Sequence, residues 1–140
     1  MNSNLPKRVL ASGVFDVLHP GHLHYLTKAA GTGDHLSVVV TSDGHAEKTK
    51  RPPRHPATDR VALVGALRVV DDSFIGADPY DLAATIKQAK PDVIALGYDQ
   101  PFDEGELAQE LAALGCTVEV VRIDRLESAV STRDHLNEQP

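Results

Sequence analysis

Apolar residues in this chain fall into short continuous runs, separated by stretches where they return every third or fourth position. The first run, within residues 7–12, holds Val9, Leu10 and Ala11 and reads as a buried strand. Leu23, Leu26, Thr27 and Ala30 then recur at helical spacing. They predict a helix from about residue 20 or 21 to about 30, with Gly31 and Gly33 as left-handed cap and turn. Residues 35–41 are β-branched and nearly all apolar, as a parallel strand covered on both faces should be. A polar, basic connection over residues 42–56 has three prolines and no apolar period, and its length points to a functional or mobile loop.

The alternation then resumes. Thr58 reads as the cap of a helix carrying Val61, Leu63, Val64, Leu67 and Arg68, followed by a short strand over 73–75. A helix over 81–90 ends at Pro91, and residues 92–97 form another buried strand. The next helix, 104–114, turns Leu107, Leu111 and Leu114 to the core and closes at Gly115; a last strand covers 117–123. Ser131 reads as the cap of a terminal helix. Strand and helix alternating five times imply an α/β fold. Its sheet is parallel with right-handed crossovers and helices on both faces, and its ligands bind beyond the carboxyl ends of the strands.

Composition narrows the function classes. At 140 residues the chain reads as a single domain, 1–140, long enough to bury a core. A formal net charge of -6 argues against broad nucleic-acid binding, which needs a basic face. No segment approaches a membrane span and no signal-peptide centre is present, so a cytoplasmic protein without membrane or nucleic-acid partners is expected. Cys116 is the single cysteine, which excludes an internal disulfide, and its apolar setting reads as a buried inert thiol.

The densest chemistry lies at residues 13–22, Gly-Val-Phe-Asp-Val-Leu-His-Pro-Gly-His, between the first strand and the first helix. A glycine at a strand end and a helix start let backbone amides face an anion, and Pro20 suits a first helical turn. His19 and His22 stand at that junction, so a phosphate could rest on the amides while both imidazoles donate to it. His24, outside the stretch, reads as a surface residue. Lys48, Lys50, Arg51 and Arg54 form a basic cluster on the connection after the second strand. Arg60 stands at a helix start, where a cation opposes the dipole unless an anion compensates. Gly97, Tyr98, Asp99 and Gln100 follow the fourth strand, with one aromatic face among them.

The combination of strand, Gly-x-Phe-Asp, His-x-Gly-His and helix resembles the signature of the cytidylyltransferase-like branch of the HIGH nucleotidyltransferase superfamily. Glycerol-3-phosphate cytidylyltransferases and archaeal FAD synthases belong to that branch. The resemblance implies a Rossmann-like, doubly wound five-stranded parallel sheet in the order 3-2-1-4-5. It also implies nucleotidyl transfer: an acceptor phosphate or phosphonate oxygen attacks the α-phosphorus of a nucleoside triphosphate, and pyrophosphate leaves in line. His19 and His22 match the family histidines that contact the phosphates, within a nucleotide-binding loop that includes Gly13, Val14, Phe15, Asp16 and Gly21. Asp16 is expected to order that loop. Lys48 or Lys50 falls where the family places a lysine over the triphosphate, Arg60 where it places an arginine on acceptor or triphosphate, and Arg54 joins the phosphate-binding set.

Gly97, Tyr98 and Asp99 resemble the segment that cradles the nucleoside. Residues 127–133 resemble the second family signature, Arg-Thr-x-Gly-Ile-Ser-Thr-Thr. Ser131 and Thr132 match its Ser-Thr pair, Arg133 adds a phosphate contact, and Leu126 and Ala129 depart from its arginine and glycine. The resemblance further implies Mg2+ held mainly by the triphosphate, with no metal site of its own. The C-terminal signature and compact length favour CTP, with CMP moved onto a phospho-alcohol or phosphonate. The stretch Leu96-Gly97-Tyr98-Asp99-Gln100 favours the alternative, FAD synthases that move AMP from ATP onto FMN. A non-catalytic nucleotide-binding module is a further alternative, against which the paired histidines speak. A homodimer, and a second domain fused to this one, also fit the resemblance.

Overall fold

The structure, a computed structural model, describes residues 5–49 and 52–126. Its sheet is parallel throughout, in the order β3-β2-β1-β4-β5. Strand β1 (Arg8–Gly13) is central, with β2 (His35–Val40) and β3 (Asp72–Ile75) on one side and β4 (Val93–Leu96) and β5 (Glu119–Arg122) on the other. The period of two along β1 divides the core. Val9 and Ala11 pack with Leu26, Ala29 and Val64 from α1 (Pro20–Ala30) and α3 (Ala57–Gly65). Leu10 packs on the other face with Ile86, Leu107 and Leu111 from α4 (Leu82–Ala89) and α5 (Glu104–Ala113). The sheet is thus doubly wound, and its topological switch lies between β1 and β4.

At that switch the strands part. The β1–β2 ladder runs to Gly13 and Val40, whereas the β1–β4 ladder runs through Val9–Val93 and Leu10–Ile94. Tyr25, from α1, fills the opening. Its hydroxyl donates to Ala95 O at 2.6 Å and accepts from Ser12 N–H at 3.1 Å, and burial raises its pKa above the ordinary tyrosine value. Tyr25→Phe would strand both backbone groups in the interior, so it should cost about 1–3 kcal/mol. Urea unfolding measures this; an unchanged midpoint would show that the hydroxyl does not bridge the gap.

Several expectations change. The connection over 42–56 is not an open loop, because it contains α2 (Asp43–Thr49). Helix α3 starts after Pro56 rather than at Thr58, and the N–H of Ala57 is capped by the distant Asp43 carboxylate at 3.0 Å. Gly31 closes α1 in the right-handed region, at φ -69. Leu114 lies past the end of α5 and is 46% exposed instead of buried. Cys116 is only half-buried, because it precedes β5 rather than lying within it. The terminal helix proposed from Ser131 lies outside the described residues. Among the described residues no helix is long and apolar enough to cross a membrane.

Candidate functional site

The loop after β1 is shaped by Phe15, a bulky residue held at φ 53, in the left-handed region. Its ring folds back over Gly13, where an added Cβ would lie 2.8 Å from the ring carbons. Glycine at 13 is therefore what lets Phe15 bury. The buried ring meets His22 edge-on, at 5.3 Å between centroids, and His22 in turn stacks on His19 at 3.9 Å. Gly21 lets this pair close, since a Cβ there would come within 2.9 Å of the His19 ring.

The start of α1 is closed on itself. Gly21 N–H donates to His19 Nδ1 at 3.1 Å, His19 N–H to His22 Nδ1 at 3.3 Å, and His22 N–H to His19 O at 3.0 Å. Pro20 has no N–H to offer. The expectation that a phosphate rests on these amides is therefore corrected, because the histidines themselves already satisfy them. The same bonds fix the tautomers. With Nδ1 of each ring accepting, each neutral imidazole carries its proton on Nε2. Two stacked rings thus present N–H donors of one kind at the carboxyl end of the central strand.

Asp16 ties this loop to the next. It accepts from Arg54 N–H at 2.8 Å and His55 N–H at 3.0 Å, and His55 Nδ1 donates to its carbonyl at 3.0 Å. The Arg54 amide is the main reason its carboxyl titrates below the ordinary 3.8. Arg54 itself keeps an exposed side chain beside the site.

Arg60 is not available for substrate. Its side chain is 0% exposed, with Nη1 donating to Val14 O at 2.8 Å and Thr41 O at 2.9 Å, Nε to His55 O at 2.8 Å, and Nη2 to Asp43 at 2.7 Å. The anion that offsets the α3 dipole is Asp43 rather than a phosphate. Arg60 in turn holds the Asp43 carboxyl below the ordinary 3.8. One guanidinium thereby joins the signature loop, the end of β2, the start of α2 and the loop before α3. Val14 serves this clamp through its carbonyl.

Beyond β4, Gly97, Tyr98 and Asp99 lie on the same rim, with Tyr98 54% exposed. Gln100 anchors them to β1: its Oε1 accepts from Gly97 N–H at 2.9 Å and its Nε2 donates to Ser12 O at 2.9 Å. Lys48 is exposed on α2, which leaves the neighbouring strand β2 at this rim. Lys50, Ser131, Thr132 and Arg133 lie outside the described residues. His24 is partly buried rather than superficial, and its Nε2 donates to Asp124 O at 3.1 Å. A groove of about 480 Å3, lined by Ile86, Lys87, Lys90, Leu114 and Cys116, lies at the opposite ends of β4 and β5. It is remote from the histidines and takes no part in their chemistry.

The model of the cytidylyltransferase-like family matches residues 10–135. The chain belongs to the cytidylyltransferase-like family. Membership carries the coarse activity, nucleotidyl transfer. Among its relatives, a FAD synthase of Thermoplasma volcanium is 43% identical over 125 residues, covering 89% of this chain and 87% of the relative. A FAD synthase of Pyrococcus horikoshii is 46% identical over 127 residues, covering 90% and 86%. The crystal structure of a Thermoplasma volcanium protein described as a lipopolysaccharide core biosynthesis protein superposes with a TM-score of 0.85 at 44% identity, covering 87% of this chain and 99% of that one.

Four positioning residues of this family member were not picked out as such from the sequence. Asp43 and Tyr25 act on partners 17 and 70 positions away, so no local pattern marks them. Gln100 was noted within its segment but not as an anchor. Arg122 carried a usable signal, a long cation placed directly after Val120 and Val121 at the carboxyl end of the last strand.

Proposed function

We propose that this chain adenylylates FMN, joining AMP from ATP to the flavin phosphate and releasing pyrophosphate. A phosphate oxygen of FMN forms the new bond to the α-phosphorus of ATP, and the bond to the β-phosphate's bridging oxygen breaks. The acceptor phosphate is already anionic near neutral pH, so the protein needs no general base. What it must supply is positioning, and hydrogen-bond donors where charge gathers on the α-phosphoryl oxygens. The stacked His19–His22 pair, with both Nδ1 atoms held by the backbone and both protons on Nε2, is the observation that carries this reading. Lys48 is assigned to the outer phosphates, and Tyr98 and Asp99 to the nucleoside.

The described residues include no group of three or more His, Cys, Asp or Glu suited to a metal, and Asp16 and Asp43 are engaged with backbone amides and Arg60. Mg2+ would enter with the triphosphate and supply charge neutralisation, with phosphate oxygens as its main ligands.

Preference for ATP and FMN over CTP and a phospho-alcohol rests on relatives that are FAD synthases at 43% and 46% identity over most of both chains. The CTP preference inferred from chain length and the C-terminal signature gives way to it. Purified protein given ATP, FMN and Mg2+ should yield FAD and pyrophosphate in equal amounts by chromatography and phosphate assay. Product from CTP and glycerol 3-phosphate, with none from ATP and FMN, would overturn the adenylyl reading.

A further inference from the structure

The connection from β4 to α5 is wound around a single side chain. Arg122 ends β5 beside Leu96, the last residue of β4. Its Nη1 donates to Gly97 O and Gln100 O, both at 2.8 Å, and its Nη2 donates to Phe102 O and to Glu104 Oε1, the latter at 2.7 Å. A guanidinium can serve four acceptors in one plane; an ammonium with three donors and no fixed plane cannot. On the opposite side, Gln100 fastens the same segment to Ser12 of β1. The segment is thus held from both flanking strands, by its carbonyls on the β5 side and by the Gln100 side chain on the β1 side. Tyr98 and Asp99, which make none of these bonds, are left exposed at the rim.

We propose that Arg122 is a positioning residue for nucleotide recognition: by gathering the carbonyls of residues 97, 100 and 102 it sets the pose in which Tyr98 and Asp99 receive the nucleoside. The inference rests on the nucleotidyl-transfer reading and adds to it a division of labour. The rim beyond β1 and β2 handles phosphates, and the segment beyond β4 handles the nucleoside. Glu104, held below its ordinary 4.5 chiefly by the Arg122 hydrogen bond, completes the clamp and marks the first turn of α5.

The test measures binding of two probes, ATP and inorganic tripolyphosphate, each with Mg2+, to the parental chain and to Arg122→Lys and Glu104→Gln, with thermal melts alongside. Arg122→Lys should weaken ATP about tenfold or more, the scale on which displaced positioning groups are felt, and leave tripolyphosphate within twofold. Glu104→Gln keeps an acceptor and the carbonyl contacts, so it should weaken ATP about threefold by loss of the charge-assisted bond. Where Arg122→Lys does not fold, Glu104→Gln alone decides. Unchanged ATP affinity in a folded variant, or equal weakening of both probes, overturns the proposal. A parental chain that binds ATP but makes no FAD sinks the FMN reading and leaves Arg122 to be judged by the affinities; one that binds no ATP sinks both.

Discussion

His19→Asn and His22→Asn are each expected to fold normally and to lose about 10²–10³-fold in kcat, the cost of removing one preorganised donor from a developing anionic centre. The choice of asparagine separates two roles of each ring. Asparagine is among the best helix caps, and its Oδ1 stands where Nδ1 accepts the backbone N–H, so the closed start of α1 survives. The donor at Nε2 is lost. At position 19 glutamine reverses the exchange: its amide reaches toward the Nε2 position but leaves the cap unmade, costing about 1 kcal/mol of stability while keeping more of the turnover. At position 22, third in the helix, glutamine can itself reach back to the His19 N–H and should keep the cap. Melting curves and steady-state rates of the four variants separate the two roles. Asparagine variants that turn over within twofold of the parental chain would show that the rings serve only as caps.

Arg60→Ala should be the most destabilising single change in the chain, at about 3–5 kcal/mol. It removes the guanidinium donors from Val14 O, Thr41 O and His55 O, takes the Arg60 charge from Asp43, and opens a void beneath the rim. Against a total stability of about 5–15 kcal/mol, such a protein is expected to be largely insoluble or partly unfolded at 37 °C. Asp43→Asn retains an acceptor toward both Arg60 and Ala57 and should cost far less, so the pair distinguishes the hub from one of its spokes. Urea denaturation reads both. A soluble Arg60→Ala chain within 1 kcal/mol of the parental midpoint would mean that the four segments hold their places without it.

Much of this architecture was open to reading from residue order. The runs Val9–Ala11, Val38–Val40 and Val93–Leu96 each lie within a strand, because short continuous apolar segments bounded by polar residues have few alternatives. The strand order came from the family resemblance, since spacing alone does not choose among parallel arrangements. Helix α2 was missed for a simple reason. Its sequence, Asp-Gly-His-Ala-Glu-Lys-Thr, has Ala46 as its one apolar side chain, so no apolar period exists to detect. Arg60 was misjudged although the dipole argument was sound: it demanded an anion, and the anion came from another helix rather than from a substrate. The amides at the start of α1 were misjudged because the histidines were counted as ligand donors alone, and their second ring nitrogens proved to be caps.

Arg60 and Arg122 share one habit. Apart from a carboxylate each, what they grip is main-chain oxygen, at Val14, Thr41 and His55 on one half of the rim and at Gly97, Gln100 and Phe102 on the other. Every amino acid carries that oxygen, so the two arginines are indifferent to the side chains of the residues whose carbonyls they grip. On the proposed assignment of Tyr98 to the nucleoside, substitutions that alter the preferred base can therefore accumulate there without dismantling the scaffold that presents it. Such a scaffold lends itself to the exchange of one nucleotide for another in the course of descent.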